Sequence, residues 1–287
     1  MTSVKYWPGL CKIKISLLSA FSAATGAILS GAGLDVNFTI MVTGVFLLAS
    51  GASALNQYQE REIDALMERT KSRPLPSGNI SPREALYLSA ALILSGTLLL
   101  LARSYFTAAA LGVFAVVWYN GVYTDLKRLS AFAPVPGALV GAIPPAIGWS
   151  SAGGDLLDPM LPALCVFFFI WQVPHFLFLS LSNAKDYKKA GLPTISGIFS
   201  NGQIARINSV WILSMAVAGL ALQLYIISSY HIFNSGLFAA CLFLFIGGFT
   251  CISRHSTRIP FRTAFNRINM YMLLSMLILT GERLFLL

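Results

Sequence analysis

Near the start of the chain, Asn56, Glu60 and Asp64 stand at i, i+4 and i+8. On one continuous helix they share a face. Hard oxygen ligands in such a row suit Mg²⁺, which takes one or two carboxylates, several waters and a substrate phosphate. The cations Arg69, Lys71 and Arg73 follow at once, and such groups hold diphosphate oxygens. Acid followed by base is the order a metal–diphosphate site needs. A solvated, salt-bridged helix end with basic residues that only set topology accounts for the same spacing. On spacing alone the balance tips slightly toward that plainer account.

Two later stretches carry polar groups between apolar runs. Tyr123-Thr124-Asp125-Leu126-Lys127-Arg128 precedes a segment holding Pro134, Pro136, Gly137, Gly141, Pro144, Pro145 and Gly148-Trp149. Prolines inside a membrane helix kink it where a cavity or a neighbour re-satisfies the backbone, and glycines let helices approach closely. Packing alone competes as an explanation. The other stretch, Trp171-Gln172-Val173-Pro174-His175-Phe176, leads to Asp186-Tyr187. His175 falls near the end of an apolar run, and an intramembrane ionisable group is a functional candidate. A locally satisfied histidine is the plainer alternative. Asp186 supplies a further carboxylate for a second Mg²⁺ or for positioning the first. His231 and His255 receive no role.

The elements that position these groups follow from composition. Of 287 residues 56% are hydrophobic and 11% charged, against about 25% charged in a soluble domain. The mean hydropathy is +0.72, so lipid must solvate much of the surface. Helices or closed barrels alone satisfy their backbone in lipid, and runs such as 38–55 and 163–181 lack the alternation of barrel strands. A spanning helix needs about 20 apolar residues. Nine spans are predicted, at 15–34, 38–55, 84–102, 105–123, 132–152, 159–181, 206–228, 233–253 and 266–286. Lys5, Lys12 and Lys14 ahead of the first run imitate a signal peptide, but that run is long enough to span and is read as a retained helix.

Threaded from a cytoplasmic N-terminus, nine spans put 18 of the 20 Lys and Arg on the inner side, with only Arg103 and Arg283 outside. That is a strong positive-inside bias, and eight spans would destroy it. The net charge of +9 therefore reports topology, and no nucleic-acid partner is expected. Two inner loops, 56–83 and 182–205, are long, and long loops in compact proteins often carry function. Cys11, Cys165, Cys241 and Cys251 form no CxxC pair and sit near no His at zinc spacing. The expectation is an all-α polytopic membrane protein, a single domain over 1–287, with the two long cytoplasmic loops capping a polar site.

Through these motifs the chain resembles the UbiA superfamily of intramembrane prenyltransferases, and within it the branch that farnesylates haem. The resemblance is carried by Asn56, Glu60, Asp64, Met67, Arg69-Thr70, Arg73-Pro74-Leu75 and Ser77-Gly78. It continues in Tyr123-Thr124, Leu126-Lys127-Arg128, Gly141-Ala142, Pro144-Pro145 and Gly148-Trp149. It ends in Trp171-Gln172, Pro174-His175-Phe176, Asp186-Tyr187 and Ala190-Gly191. The Trp-Gln-x-Pro-His-Phe block separates the haem branch from the quinone branches. Glu60 departs from the family's more frequent Asp and lengthens that ligand by one carbon.

The resemblance implies a nine-helix bundle in which Asn56, Glu60, Asp64 and Asp186 hold Mg²⁺. Arg69, Lys71, Arg73, Lys127, Arg128 and Tyr187 would bind the donor, farnesyl diphosphate. Glu60, Asp64, His175 and Asp186 would serve catalysis, with His175 against the acceptor, haem b. It further implies a bacterial inner membrane, which the short N-terminus without an Arg/Ser-rich presequence also favours, and a haem A synthase or oxidase assembly proteins as partners. Two other functions compete. A prenyltransferase with an aromatic, quinone-precursor acceptor would share the diphosphate site but leave the Trp-Gln-x-Pro-His-Phe block unexplained. A transporter fits poorly, because nine spans do not divide into inverted repeats.

Overall fold

The computed structural model describes residues 4–103, 105–225, 231–253 and 261–286. Among them every regular element is helical. The major helices are α1 (Ile13–Leu29), α2 (Val36–Leu66), α3 (Pro82–Leu101), α4 (Phe106–Leu129), α5 (Leu139–Ser151), α6 (Met160–Ser182), α7 (Asn201–Leu222), α8 (His231–Ser253) and α9 (Phe261–Leu286). Helix α4 passes through a π-helical stretch, Trp118–Tyr123. A single turn, Pro134–Gly137, leads into α5. Arg254, Arg258 and His255 lie outside the described residues.

Local chemistry sets the helix ends. The Asp35 carboxylate accepts from the Phe38 N–H at 2.8 Å and starts α2. Ser81 accepts from the Glu84 N–H with Pro82 in the first turn of α3. Ser200 and Gln203 form a reciprocal capping box on α7. Each device satisfies N–H groups that a helix start leaves bare.

Successive helices pack side by side, and α9 returns to α1, so the bundle closes into a ring. Two cores fill it. One joins α1 to α5 through Ala23, Ala27, Met41, Leu48, Leu100 and Ile147. The other joins α6 to α9 through Phe167, Phe168, Phe178, Met215, Ile268 and Tyr271. Large apolar side chains such as Leu94, Val117, Val166 and Leu277 are exposed, which is tolerable where lipid is the solvent.

Six of these helices are long and apolar enough to cross a membrane. A seventh crossing follows if Val4–Leu10 and Ile13–Leu29, bent by 55°, act as one. Near 132–152 the prolines and glycines break the expected span into Pro134–Gly137 and Leu139–Ser151. The expected span 233–253 lies within the single helix α8.

The crossing of α1 and α5 is unusually close. A Cβ at Gly148 would lie 1.8 Å from the Ala23 carbonyl oxygen, and one at Gly26 would lie 2.0 Å from that of Pro145. Backbone cannot yield as a side-chain tip can, so the helices would have to part. Overpacking of this kind costs about 1–3 kcal/mol, occasionally more. Gly148→Ala is therefore expected to lower the thermal midpoint of the detergent-solubilised protein by several degrees. Gly202→Ala, which meets nothing within 4 Å, should leave the midpoint within a degree of the parent.

Candidate active site

Helix α2 runs on to Leu66, two turns or more past the predicted end of its span. Asn56, Glu60 and Asp64 thus lie on one continuous helix, and all three are buried, with Asp64 only 1% exposed. A solvated helix end would leave them open to water. Burying carboxylates is costly unless they are paired, and here each finds a cation from another segment. Arg73 Nη1 approaches Asp64 Oδ2 at 2.7 Å. Lys127, from the end of α4, pairs with Glu60. Lys12 Nζ donates to Asn56 Oδ1 at 2.9 Å.

Lys12 sits between Leu10 and α1 with φ +46°, a left-handed conformation that disfavours L side chains by about 1–2 kcal/mol. It is the only non-glycine with positive φ among the described residues, and its side chain reaches the acid row. The sequence reading treated Lys12 as a topogenic charge. Nothing in residue type or spacing distinguishes it from Lys5 or Lys14.

A buried polar layer supports the row. Asn56 Nδ2 donates to Thr124 Oγ1 at 3.1 Å, and that hydroxyl donates to the Tyr119 carbonyl at 2.9 Å. Asn120 Nδ2 donates to Gln59 Oε1 and to the Ala52 carbonyl. The π-helical stretch widens α4 at this point. Such bulges recur at functional sites, and this one faces Tyr119, Asn120 and Tyr123 toward their partners. Gln57 Nε2 ties the N-terminal turn to α2 through the Gly9 and Leu10 carbonyls, both at 2.8 Å.

The two long loops meet over the site. The Arg69 N–H donates to Asp186 Oδ2 at 3.0 Å, and Glu68 pairs with both Lys71 and Lys189. These two ammonium groups hold the exposed Glu68 carboxyl below the usual carboxylate range. Beneath them Met67, Tyr187 and Leu192 form a small apolar cluster with Ile63 and Ala190. The short helix Ala184–Lys189 ends in a Schellman motif: the Leu192 N–H bonds to the Tyr187 carbonyl and the Gly191 N–H to that of Lys188. Gly191 takes φ +72°, which glycine adopts without a Cβ penalty.

Of the predicted site residues, Asn56, Glu60, Asp64, Arg73 and Lys127 converge. Asp186 and Tyr187 join the neighbouring loop contact. Lys71 turns outward to Glu68, Arg69 enters through its backbone, and Arg128 Nη2 donates to the Gln59 carbonyl at 2.8 Å from the exposed rim. Among the described residues no three His, Cys, Asp or Glu side chains gather as a metal-binding group. Yet Asp64 Oδ1 is buried with no hydrogen-bond partner among the described residues. A bare carboxylate oxygen beside a second carboxylate and an amide oxygen is a donor set that fits Mg²⁺.

An aromatic wall leads from this cluster to His175. Tyr119 stacks on Tyr123 with ring centres 5.9 Å apart, and Tyr123 on Phe176 at 5.2 Å and 9°. His175 is wedged between Trp171 at 5.0 Å and Phe265 at 4.8 Å. Its Nδ1 lies 2.7 Å from Asn269 Oδ1 of α9. Asn269 had no signal in the sequence, standing ninety-four positions from His175.

Comparison with known proteins agrees with this architecture. The UbiA prenyltransferase family profile matches residues 16–274. The chain is 32% identical over 275 residues to a protoheme IX farnesyltransferase of Oleidesulfovibrio alaskensis, covering 96% of this chain and 95% of that one. It is 44% identical over 184 residues to one from Geobacter sulfurreducens, covering 64% and 68%. Among solved structures, a digeranylgeranylglyceryl phosphate synthase superposes with a TM-score of 0.76 at 14% identity, over 99% of both chains. A UbiA homologue from Archaeoglobus fulgidus bound to GPP and Mg²⁺ does so with 0.67 at 18%, over 96% of this chain and 99% of that one.

Truncating one member of a buried pair strands the other. Lys127→Met should destabilise the solubilised protein by about 3–5 kcal/mol. Glu60→Gln added to that background should restore most of the loss, as read from the thermal midpoint. Equal midpoints for Lys127→Met and the parent would show that Glu60 does not depend on Lys127.

Proposed function

This chain belongs to the UbiA prenyltransferase family, and on that premise we propose that it transfers the farnesyl group of farnesyl diphosphate to a vinyl group of haem b. The product is the hydroxyethylfarnesyl haem, haem O. The observation that carries the donor half is the buried acid row of α2 with its cations Arg73, Lys127 and Lys12. The acceptor half rests on the identity with protoheme IX farnesyltransferases, which extends over nearly the full chain.

All nine helices α1–α9 cross a bacterial inner membrane, α5 as a proline-broken span and α8 with them. The N-terminus and the two long loops face the cytoplasm. The farnesyl tail lies along the aromatic and apolar wall, and the diphosphate lies under the loops. Asn56, Glu60 and Asp64 hold Mg²⁺, with Asp186 joining from the second loop. Bound there, the ion supplies neutralisation of the leaving diphosphate. Arg73, Lys127 and Lys12 share that charge, with Arg69, Lys71, Arg128 and Tyr187 drawn in from the rim.

Charge grows on the diphosphate as the allylic C–O bond ionises, and pre-placed cations stabilise it where it appears. Diphosphate departs with the electron pair of that bond. The vinyl π electrons of the acceptor then form the new C–C bond, and water captures the resulting cation and gives up a proton. Tyr119, Tyr123 and Phe176 keep water off the first cation until the acceptor arrives. His175 contacts the haem. A haem A synthase or oxidase assembly proteins take up the product.

The decisive experiment is haem analysis of membranes from a host lacking its own haem-farnesylating enzyme, with and without this chain. Farnesylated hydroxyethyl haem should appear only with it. Well-inserted protein that leaves haem b unchanged would overturn the acceptor and favour an aromatic one. Asp64→Ala should reduce turnover by at least a hundredfold with insertion intact, and near-normal product would remove Asp64 from the metal site. In purified protein, Asn56→Ala should raise the Mg²⁺ concentration needed for half-maximal diphosphate release. An unchanged Mg²⁺ titration would exclude Asn56 as a ligand.

A further inference from the structure

The contact between His175 and Asn269 fixes which ring nitrogen is open. An amide oxygen can only accept, so at 2.7 Å Nδ1 carries the proton, and in the neutral ring Nε2 then carries the lone pair. Nε2 has no hydrogen-bond partner among the described residues. The ring cannot readily turn, because Trp171 and Phe265 flank it with centres at 5.0 and 4.8 Å and Phe176 meets it edge-on at 5.8 Å. Phe176 is in turn held by its stack on Tyr123.

The surroundings contain a second open valence. Trp171, one turn earlier on α6, buries its Nε1–H without a partner among the described residues. Leaving a buried donor bare costs about 1–3 kcal/mol. A polar atom of a bound molecule would remove that cost. Aromatic rings on three sides, an imidazole whose Nε2 has no partner among the described residues and an unpaired indole N–H together suit a planar, metal-bearing macrocycle with polar substituents.

We propose that Asn269 is a positioning residue: by accepting the Nδ1 proton it orients His175 so that Nε2 ligates the iron of the porphyrin acceptor. Imidazole ligands usually donate their other N–H to such a partner, and loss of the partner typically lowers metal affinity about 10–100-fold. This inference rests on haem b being the acceptor and adds how the acceptor is gripped. It links α9 to the chemistry through α6.

The test is titration of the detergent-purified full chain with haem b, followed in the Soret band, without farnesyl diphosphate. The parent should bind haem with a histidine-ligated spectrum, and His175→Ala should lose that spectrum. Asn269→Leu, similar in size but unable to accept, should weaken haem binding about 10–100-fold and raise KM for haem while KM for farnesyl diphosphate stays put. Asn269→Asp, which still accepts, should return to within a few-fold of the parent. If Asn269→Leu binds haem with the parent's affinity and spectrum, the assignment falls. If Asn269→Asp is as defective as Asn269→Leu, Asn269 is a packing residue and the assignment falls too. A parent chain that leaves the haem spectrum unchanged sinks both this inference and the haem acceptor. A parent that binds haem while Asn269→Leu matches it sinks this inference alone.

Discussion

The structure is organised around the burial of two carboxylates, Glu60 and Asp64, inside a bundle whose remaining interior is mostly apolar. A buried charge is costly there unless it is paired, and cations come to both. They arrive from separate places: Lys127 at the end of α4 and Arg73 from the first long loop. Lys12, ahead of α1, reaches the same row through Asn56. That one electrostatic demand pins the N-terminal turn, the loop and α4 to the same face of α2. The strained backbone at Lys12 and the π-helical stretch of α4 are local departures from ideal geometry that bring groups to this face.

Apolar packing provides the frame within which those pairs form. Glycine and proline residues in α1 and α5 let two backbones touch, which holds the first half of the ring together without large side chains at the crossing. The second half is filled by aromatic and branched side chains between α6 and α9. Between the halves, Tyr123 and Phe176 stack almost parallel. The diphosphate end and the histidine end of the site therefore share one rigid wall.

Much of this was legible in the sequence. The interval of Asn56, Glu60 and Asp64 announced a shared helical face, and the family resemblance read from the motifs agrees with the profile match. Six of the expected spans coincide with helices long and apolar enough to cross a membrane. The segment near 132–152 was harder, because prolines divide a spanning region into pieces that are each too short by themselves. Partner choice was least legible. Arg69, Lys71 and Arg73 look alike in sequence, yet of the three only the Arg73 side chain pairs with the buried row. Lys12, Gln59, Asn120, Thr124 and Asn269 owe their places to contacts across 44 or more positions, which no local pattern encodes.

The closure of the ring by α9 against α1 has a consequence for biogenesis. A chain made from its N-terminus presents the acid row of α2 early, with Arg73 and then Lys127 following within two more helices. The contact from α9 to His175 and the seam with α1 come last of all. Nascent chains thus pass through a stage in which the diphosphate half is assembled while the bundle still gapes on one side. Protein interrupted before Phe261 would retain the charged half of the site but leave an open lateral groove for lipids or other helices to enter. Completion of the final helix is the event that turns an open crescent of helices into a closed ring.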